Sequence, residues 1–361
     1  MASVEVAAYA VVGNHRAGAG AIDGDVLDGA VGSYLAERHH RATAGAGLRV
    51  IAVDGKALKG SARLDDPRRH LLSAVTHGCV ATLAQVEVGA KTNETRHFKP
   101  LLTPLDLADM VVTFDALHSV KANITWLVKT KKAHYIAVIK TNQPTVHQQL
   151  AALPWHQVAV QHTHSASGHG RRESRSIKTC SIADTLGGIA FPHAKLALCV
   201  HRRRKETGKR ESRESVYAVI SLDAHQAGPA ELAAAIRGHW GIENRLHFVR
   251  DVTFDEDRSQ VRTGRGPENM ATLRNLAINK LRAHGHATSP PACARCPMNP
   301  SPAPSTSSAS PRDQQLRHDQ RALQQPWQSA RVSLYHRRSR KTVAGCRLGA
   351  EIPQLEFQRR R

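Results

Sequence analysis

Between residues 48 and 150, short apolar runs and amphipathic stretches alternate in an order that few architectures accept. Leu48–Val53 reads as a buried strand closed by Asp54-Gly55, and Leu71–Thr76 with Val80–Val88 reads as a hairpin around His77-Gly78. Three successive strands predict an antiparallel start. Helical and strand-like stretches then take turns: helix over Phe98–Leu107, strand over Met110–Phe114, helix over Val120–Lys131, strand over His134–Ile139, helix over Thr145–Leu150. A βαβ succession adds parallel strands. The expected fold class is therefore α/β, a mixed sheet of about five strands with helices on its faces. Pro154–Leu222 breaks the pattern with polar, Arg- and Gly-rich segments between strand-like runs, which predicts a β-rich insertion before helices resume at Pro229–Arg250 and Pro267–Leu281.

Outside this body the chain changes character. Residues 1–24 are small and aperiodic and read as a poorly ordered leader, followed by a short helix whose apolar stripe is Val26, Leu27, Ala30, Val31, Tyr34 and Leu35. Residues 284–361 are rich in Pro, Ser, Ala and Gln and read as a disordered basic tail.

The 51 Lys plus Arg against 30 Asp plus Glu give a net charge of +21. Beyond Ala283 there are 13 basic and 4 acidic residues, which leaves 38 basic and 26 acidic, a net +12, for the body. A basic body points to a polyanionic partner, most often nucleic acid. No apolar run reaches the length of a membrane span, so the expectation is a cytoplasmic, nucleoid-associated protein. Cys79 and Cys199 fall in apolar runs and read as reduced core residues, while Cys293 and Cys296 form a single CxxC with no second pair to complete a zinc site.

Three acids stand at chemically suggestive places. Asp54 and Asp115 each follow a strand-like run, in LRVIAVDGK and MVVTFDALH, and Glu243 lies on a helix-like stretch in which Ile236, Trp240, Glu243 and His247 share one face at spacings of three and four. A charge among such bulky apolar neighbours requires a partner or a metal. If the three converge, they suit two Mg²⁺ or Mn²⁺ ions at a phosphodiester. Asp251, Asp255, Glu256 and Asp257 are rivals for the third position. Residues fit for phosphate or base contacts surround these acids: Lys56, Lys59, Lys91, Asn93, Lys140, Asn142, Gln143, Arg171, Arg172, Arg175, His239, Trp240 and Arg245. Trp240 reads first as a core aromatic and second as a stacking surface for a base, the Arg202–Lys205 run as a solvated hairpin tip or a clamp, and nothing selects among His70, His77 and His118.

The segments IAVDGKALKGSARL, VGAKTNETRHFKPLL, VVTFDALHSVKANI, AHYIAVIKTNQP, SGHGRRESR, IRGHWGIENRLHFVRDVTFDEDRSQVRTG and NMATLRNLAINKLR occur in that order. Together they resemble the insertion-sequence DDE transposases of the ISAs-type, or H-repeat-associated, family, over roughly residues 25–283. The resemblance implies an RNase H-like core at 48–153 and 223–283, interrupted by the insertion at 154–222 before the last acidic helix. It further implies that Asp54 of VDGK, Asp115 of TFDA and Glu243 of HWGIEN hold two divalent ions while the protein, as a homodimer, cuts and joins double-stranded element ends and target DNA. Members carry a longer helical N-terminal region and a compact C-terminus, so 25–47 reads as a remnant and the chain as a truncated derivative. A catalytically inactive DNA-binding relic and a plain metal-dependent nuclease of the same fold are the alternatives.

Overall fold

The computed structural model describes residues 22–43, 47–62, 68–89, 93–168, 170–182 and 188–285. The readings placed on the leader, the tail with its CxxC, and Lys91 lie outside the described residues. Helix α1 (Gly24–Thr43) is followed by β1 (Val50–Leu58), β2 (Arg69–Thr76) and β3 (Thr82–Val88). Then come α2 (Glu94–Leu102), β4 (Val111–Phe114), α3 (Lys121–Lys129), β5 (His134–Ile139) and α4 (Pro144–Ala151). Four more strands follow, β6 (His162–Gly168), β7 (Arg171–Ser181), β8 (Leu196–Glu206) and β9 (Ser212–Ile220), before α5 (Pro229–Gly238) and α6 (Gly266–Ala283).

The strands of the described residues form one sheet in the order β3-β2-β1-β4-β5-β9-β8-β7-β6. The expected sheet of about five strands thus extends to nine, the last four from the stretch expected as a β-rich insertion. Tyr217–Ile220 of β9 pairs antiparallel with Ile136–Ile139 of β5, and β8, β7 and β6 extend the sheet from there. The hairpins β1–β2 and β2–β3 are antiparallel, and α2 and α3 return the chain so that β4 and β5 run parallel to β1.

Alternation along the strands gives the sheet two apolar faces. On one, Ile51, Val53, Val112, Phe114, Tyr135 and Ile139 pack against Phe98, Leu101 and Leu102 of α2, Ile124 and Leu127 of α3, and Val146 and Leu150 of α4. On the other, Val50, Val111 and Ile136 meet Leu232 and Ala235 of α5, and Ala52 and Val75 meet Ile242, Leu246, Val249 and Ile278. Helix α1 buries Leu27, Val31 and Leu35. Its Gly32 is required by close packing, because a Cβ there would collide with the Leu83 carbonyl of β3.

Two boundaries differ from expectation in ways that shape the site. Strand β1 does not end at Asp54; residues 54–58 continue along β2, from Asp54↔Ser73 to Leu58↔Arg69, after its partner β4 has stopped at Phe114. The stretch expected to be one α-helix from Pro229 to Arg250 is α-helical only to Gly238. Two π-helical turns follow at Glu243–His247 and Val249–Thr253, with Phe254 N–H bonded to Val249 O at 3.1 Å.

Candidate active site

Parallel register aligns Val53 with Phe114, so the next residues, Asp54 and Asp115, stand side by side where β4 ends and β1 runs on beside β2. Ligands of open α/β sheets collect at that edge. The π turn brings Glu243 over it. In the wider turn Glu243 and His247 become close neighbours, with His247 Nδ1 3.0 Å from Glu243 Oε2 and 3.8 Å from Asp54 Oδ2. Ligand atoms of Asp54, Glu243 and His247 all lie within 4.8 Å of one another. Asp115 stands outside this trio. Its carboxylate accepts from Leu117 N–H at 2.9 Å, capping a tight turn, and its negative charge reaches Asp54.

The electrostatics divide the acids. Burial lifts the Asp54 pKa above its ordinary value, and the charges of Glu243 and Asp115 add to the lift against the opposing pull of His247. The hydrogen bond from His247 holds Glu243 below the usual range, aided by the charges of Lys56 and Lys59. Glu243 is not the buried lone charge expected, since its side chain is 57% exposed and the buried member of the pair is His247. His247 Nε2 is buried with no hydrogen-bond partner among the described residues.

The rivals of Glu243 are occupied elsewhere. Both Asp251 oxygens lie 2.6 Å from Lys56 Nζ, Asp257 pairs with Lys59 at 2.7 Å, and Glu256 is buried against Arg250 and Arg274. Asp255 is exposed in left-handed backbone with φ 51°.

A divalent cation with ligands at about 2.1 Å holds octahedral neighbours about 3 Å apart and opposite ligands about 4.2 Å apart. The 3.0 and 3.8 Å separations fall in that range. Two carboxylates and an imidazole are donors that Mg²⁺ accepts in part and Mn²⁺ accepts throughout. The trio therefore fits a cation of this class.

The family model described as "Transposase DDE domain" matches residues 45–280. The chain belongs to the DDE transposase family. It is 32% identical over 243 residues to "Putative transposase YncI" of Escherichia coli O157:H7, covering 64% of this chain and 62% of that one. It is 30% identical over 249 residues to "H repeat-associated putative transposase YhhI" of Escherichia coli (strain K12), covering 64% of each. The chain thus spans just under two thirds of the length of these relatives. Among solved structures, a piggyBac transposase synaptic complex with hairpin DNA matches at a TM-score of 0.37 and 13% identity, over 66% of this chain and 47% of that one. That likeness is too distant to carry an argument.

Several contact residues expected of this DDE-family chain are engaged in bonds within the chain. Lys56 is 7% exposed and bound to Asp251, so it braces β1 against the π-helical segment instead of meeting a phosphate. Asn93 caps α2 by accepting from Thr95 N–H at 2.8 Å. Asn142 and Gln143 donate to the Ala116 and Ser119 carbonyls at 3.1 and 3.0 Å, fastening the turn that begins at Asp115. His239 Nδ1 lies 3.2 Å from Thr113 Oγ1, and burial pushes its pKa down to about 4, which leaves it neutral at pH 7. Arg175 pairs with Glu173 at 2.5 Å, and Arg245 donates to the Gly78 carbonyl. Lys140, Arg171 and Arg172 are exposed; so is Trp240, at 59%, which corrects its reading as a core aromatic.

Three features were not read from the sequence. His247 was placed on the face of Glu243 without a role, although a four-residue spacing is the signal for such a pair. Glu94 joins two histidines, bonding His118 Nε2 at 3.0 Å and also His70, and these bonds hold its pKa down to about 2. This cluster explains Gly55, because a Cβ beside Asp54 would collide with the Glu94 carboxylate and the His70 ring. Cys79 sits exposed in the β2–β3 turn and not in the core. Its Sγ lies 3.1 Å from Thr76 Oγ1 and 3.5 Å from His39 Nδ1, and its pKa falls to about 7. Cys199 is buried as expected, and burial pushes it up to about 11.

Proposed function

We propose that this chain carries the catalytic unit of an insertion-sequence transposase that cleaves DNA at element ends and joins the freed 3′ ends to a target. The observation that supports it most is the meeting of Asp54 and Glu243, from opposite ends of the family match, with His247 in one ligand-sized group beside Asp115. The order β3-β2-β1-β4-β5, with three antiparallel strands and two parallel additions, supports an RNase H-like core at 48–153 and 223–283. The strands β6–β9 are then the insertion at 154–222.

In this reading Asp54, Asp115 and Glu243, with His247 completing the ligand group around Asp54 and Glu243, would hold two Mg²⁺ or Mn²⁺ ions. Such cations, when bound, would activate an attacking oxygen and neutralise charge on the leaving one. The Glu94 cluster with Gly55 lies beside Asp54 and fixes the backbone there. In the first reaction a water oxygen bonds to phosphorus and the P–O3′ bond breaks, leaving a 3′-hydroxyl. In the second that hydroxyl attacks a target phosphorus and displaces the target's own 3′ oxygen. Lys140 and cationic side chains of the β6–β9 arm that are unpaired among the described residues, such as Arg172, supply backbone contacts, and exposed Trp240, three residues before Glu243, offers a face on which an unstacked base can lie. A homodimer on paired ends is the assembly this chemistry calls for.

Strand transfer by the purified chain with pre-cleaved element ends tests the reading. Asp115→Asn should abolish joining and leave duplex binding intact. Joining at the wild-type rate would remove Asp115 from the chemistry. Nicked products without joining in the wild type would favour a nuclease, and binding without any cleavage a relic.

A further inference from the structure

The arm built from β6 to β9 carries many cations, and its register sorts them. Directly opposite residues in an antiparallel pair share a face of the sheet. Arg171↔Glu206, Glu173↔Arg204 and Arg175↔Arg202 lie on one face, and Arg202↔Glu214 continues that face onto β9. Arg172↔Lys205, Ser174↔Arg203 and Arg203↔Arg213 lie on the other.

The first face is neutralised from within. Glu173 takes Arg175 Nε at 2.5 Å on one oxygen and Arg202 at 3.2 Å on the other, so the like-charge pair Arg175↔Arg202 is bridged by an acid. Arg204 pairs with Glu206, and Glu214 lies 3.8 Å from Arg202. These arginines are partly covered.

The second face lacks that bridging. Arg172 stands opposite Lys205, and Arg203 stands opposite Arg213, in two adjacent like-charge pairs. Among the described residues the acid in contact there is Glu211, which bonds Arg213 at 2.7 Å and whose charge also reaches Arg203 and Lys205, while Lys205 donates to the Lys209 carbonyl. Arg172, Arg203, Lys205 and Arg213 are all exposed. Like charges set directly opposite destabilise a strand pair, so this arrangement weakens the isolated arm. A polyanion laid across it would reverse the sign of that effect. Ser165 and Ser167 of β6 share the face, opposite Ser174 and Arg172, and add small hydroxyl donors that leave room for a backbone to approach. The first face continues the side of the sheet that carries Asp54 and α5, where Ile177 and Leu198 pack with Leu232 and Arg237 meets His164 opposite Arg175. Five strand steps from β1 to β7, at about 20–25° each, then turn the arm through roughly 100–125°, so that continuity does not fix which face meets DNA. Charge does choose.

We propose that the face bearing Arg172, Arg203, Lys205 and Arg213 is the surface on which the arm takes the phosphate backbone of duplex DNA. Arg171, Arg175, Arg202 and Arg204 instead hold the arm together. This rests on the DNA-acting reading above and narrows it to one face.

Binding of the full chain to a labelled duplex, followed by fluorescence anisotropy over a KCl series, tests the assignment. Each phosphate contact adds about 0.9 to the slope of log K against log salt. The triple variant R172Q/R203Q/K205Q should lose about 2–3 from that slope, while R175Q and R204Q keep it. Melting provides a second, independent sign: the triple variant should melt close to the wild-type temperature, because the relief of repulsion offsets the lost bond from Lys205 to the Lys209 carbonyl, and R175Q and R204Q should melt lower. An unchanged slope in the triple variant, with salt-dependent binding in the wild type, overturns the face assignment and leaves the transposase reading standing. Equal slope losses from the Glu173 face, or a triple variant that melts well below wild type, overturn it too. A wild-type chain without salt-dependent duplex binding sinks both.

Discussion

Lys56 provides the sharpest check on the placement of the site, because it lies two residues from Asp54 and its ammonium is aimed at Asp251 instead of solution. The pair has Nζ 2.6 Å from both carboxylate oxygens, with side-chain exposures of 7% and 22%. Burial lifts the Asp251 pKa above its ordinary value even with Lys56 adjacent, so desolvation offsets much of the attraction. Such a pair adds little over an apolar one, yet leaving one member alone is costly, about 3–5 kcal/mol when fully buried. The residual exposure of Asp251 screens the loss to roughly 2–3 kcal/mol for Asp251→Asn, which strands the ammonium. Lys56→Met should cost less, because the freed carboxylate is nearer water. The double variant K56M/D251N should recover most of the loss, giving a coupling energy of about 1.5–3 kcal/mol. Urea denaturation of the four proteins measures this directly. A coupling under about 0.5 kcal/mol, or a K56M variant whose salt slope for DNA binding falls, would mean that Lys56 meets phosphate and that the bracing described here is wrong.

Two further outcomes follow from the same geometry. Mg²⁺ or Mn²⁺ at about 100 times its Kd should stabilise the wild type by about 2.7 kcal/mol, or about 5–11 °C in Tm at roughly 2–4 °C per kcal/mol. The shift should vanish in Asp54→Asn and Glu243→Gln but persist in Asp251→Asn, and an identical shift in all of them would refute the trio as the cation site. Asp28, buried between α1, β3 and α6, has its pKa pushed up to about 6 by desolvation despite hydrogen bonds from Gln85 N–H and Thr272 Oγ1. The folded state therefore holds a proton that the unfolded chain releases above about pH 4, and this contribution, at most about 3 kcal/mol, is lost as pH rises through 6. Asp28→Asn should raise Tm at pH 8 and leave it unchanged at pH 4, as followed by thermal melts; equal effects at both values would count against the burial argument.

What the sequence reveals and conceals follows from which interactions are local. Asp54 and Asp115 are legible because each follows a run of β-branched and apolar residues, and parallel pairing of those runs is enough to set the two acids abreast. The continuation of β1 past Asp54 is not legible, since residues 54–58 gain strand geometry from β2 alone, on a stretch where β4 has already ended. Glu243 is recognisable as an acid on a helix face, but a π turn has no sequence signature and alters which neighbours share that face. His247 takes the buried place on the face of Glu243 at 2% exposure, while Trp240, just before the π turns, and Phe248 and Val252 along them are left outside. The arm shows the limit most clearly. A net charge of +21 predicts a polyanion but not the surface that takes it. That depends on register, where one residue of slip exchanges the faces. Sliding β8 by one against β7 would set Glu173 opposite Arg203 and bring Glu206 onto the face of Arg172, leaving neither face bare. The cationic surface is thus a product of strand pairing, and the same residues in the same order would not create it in any other register.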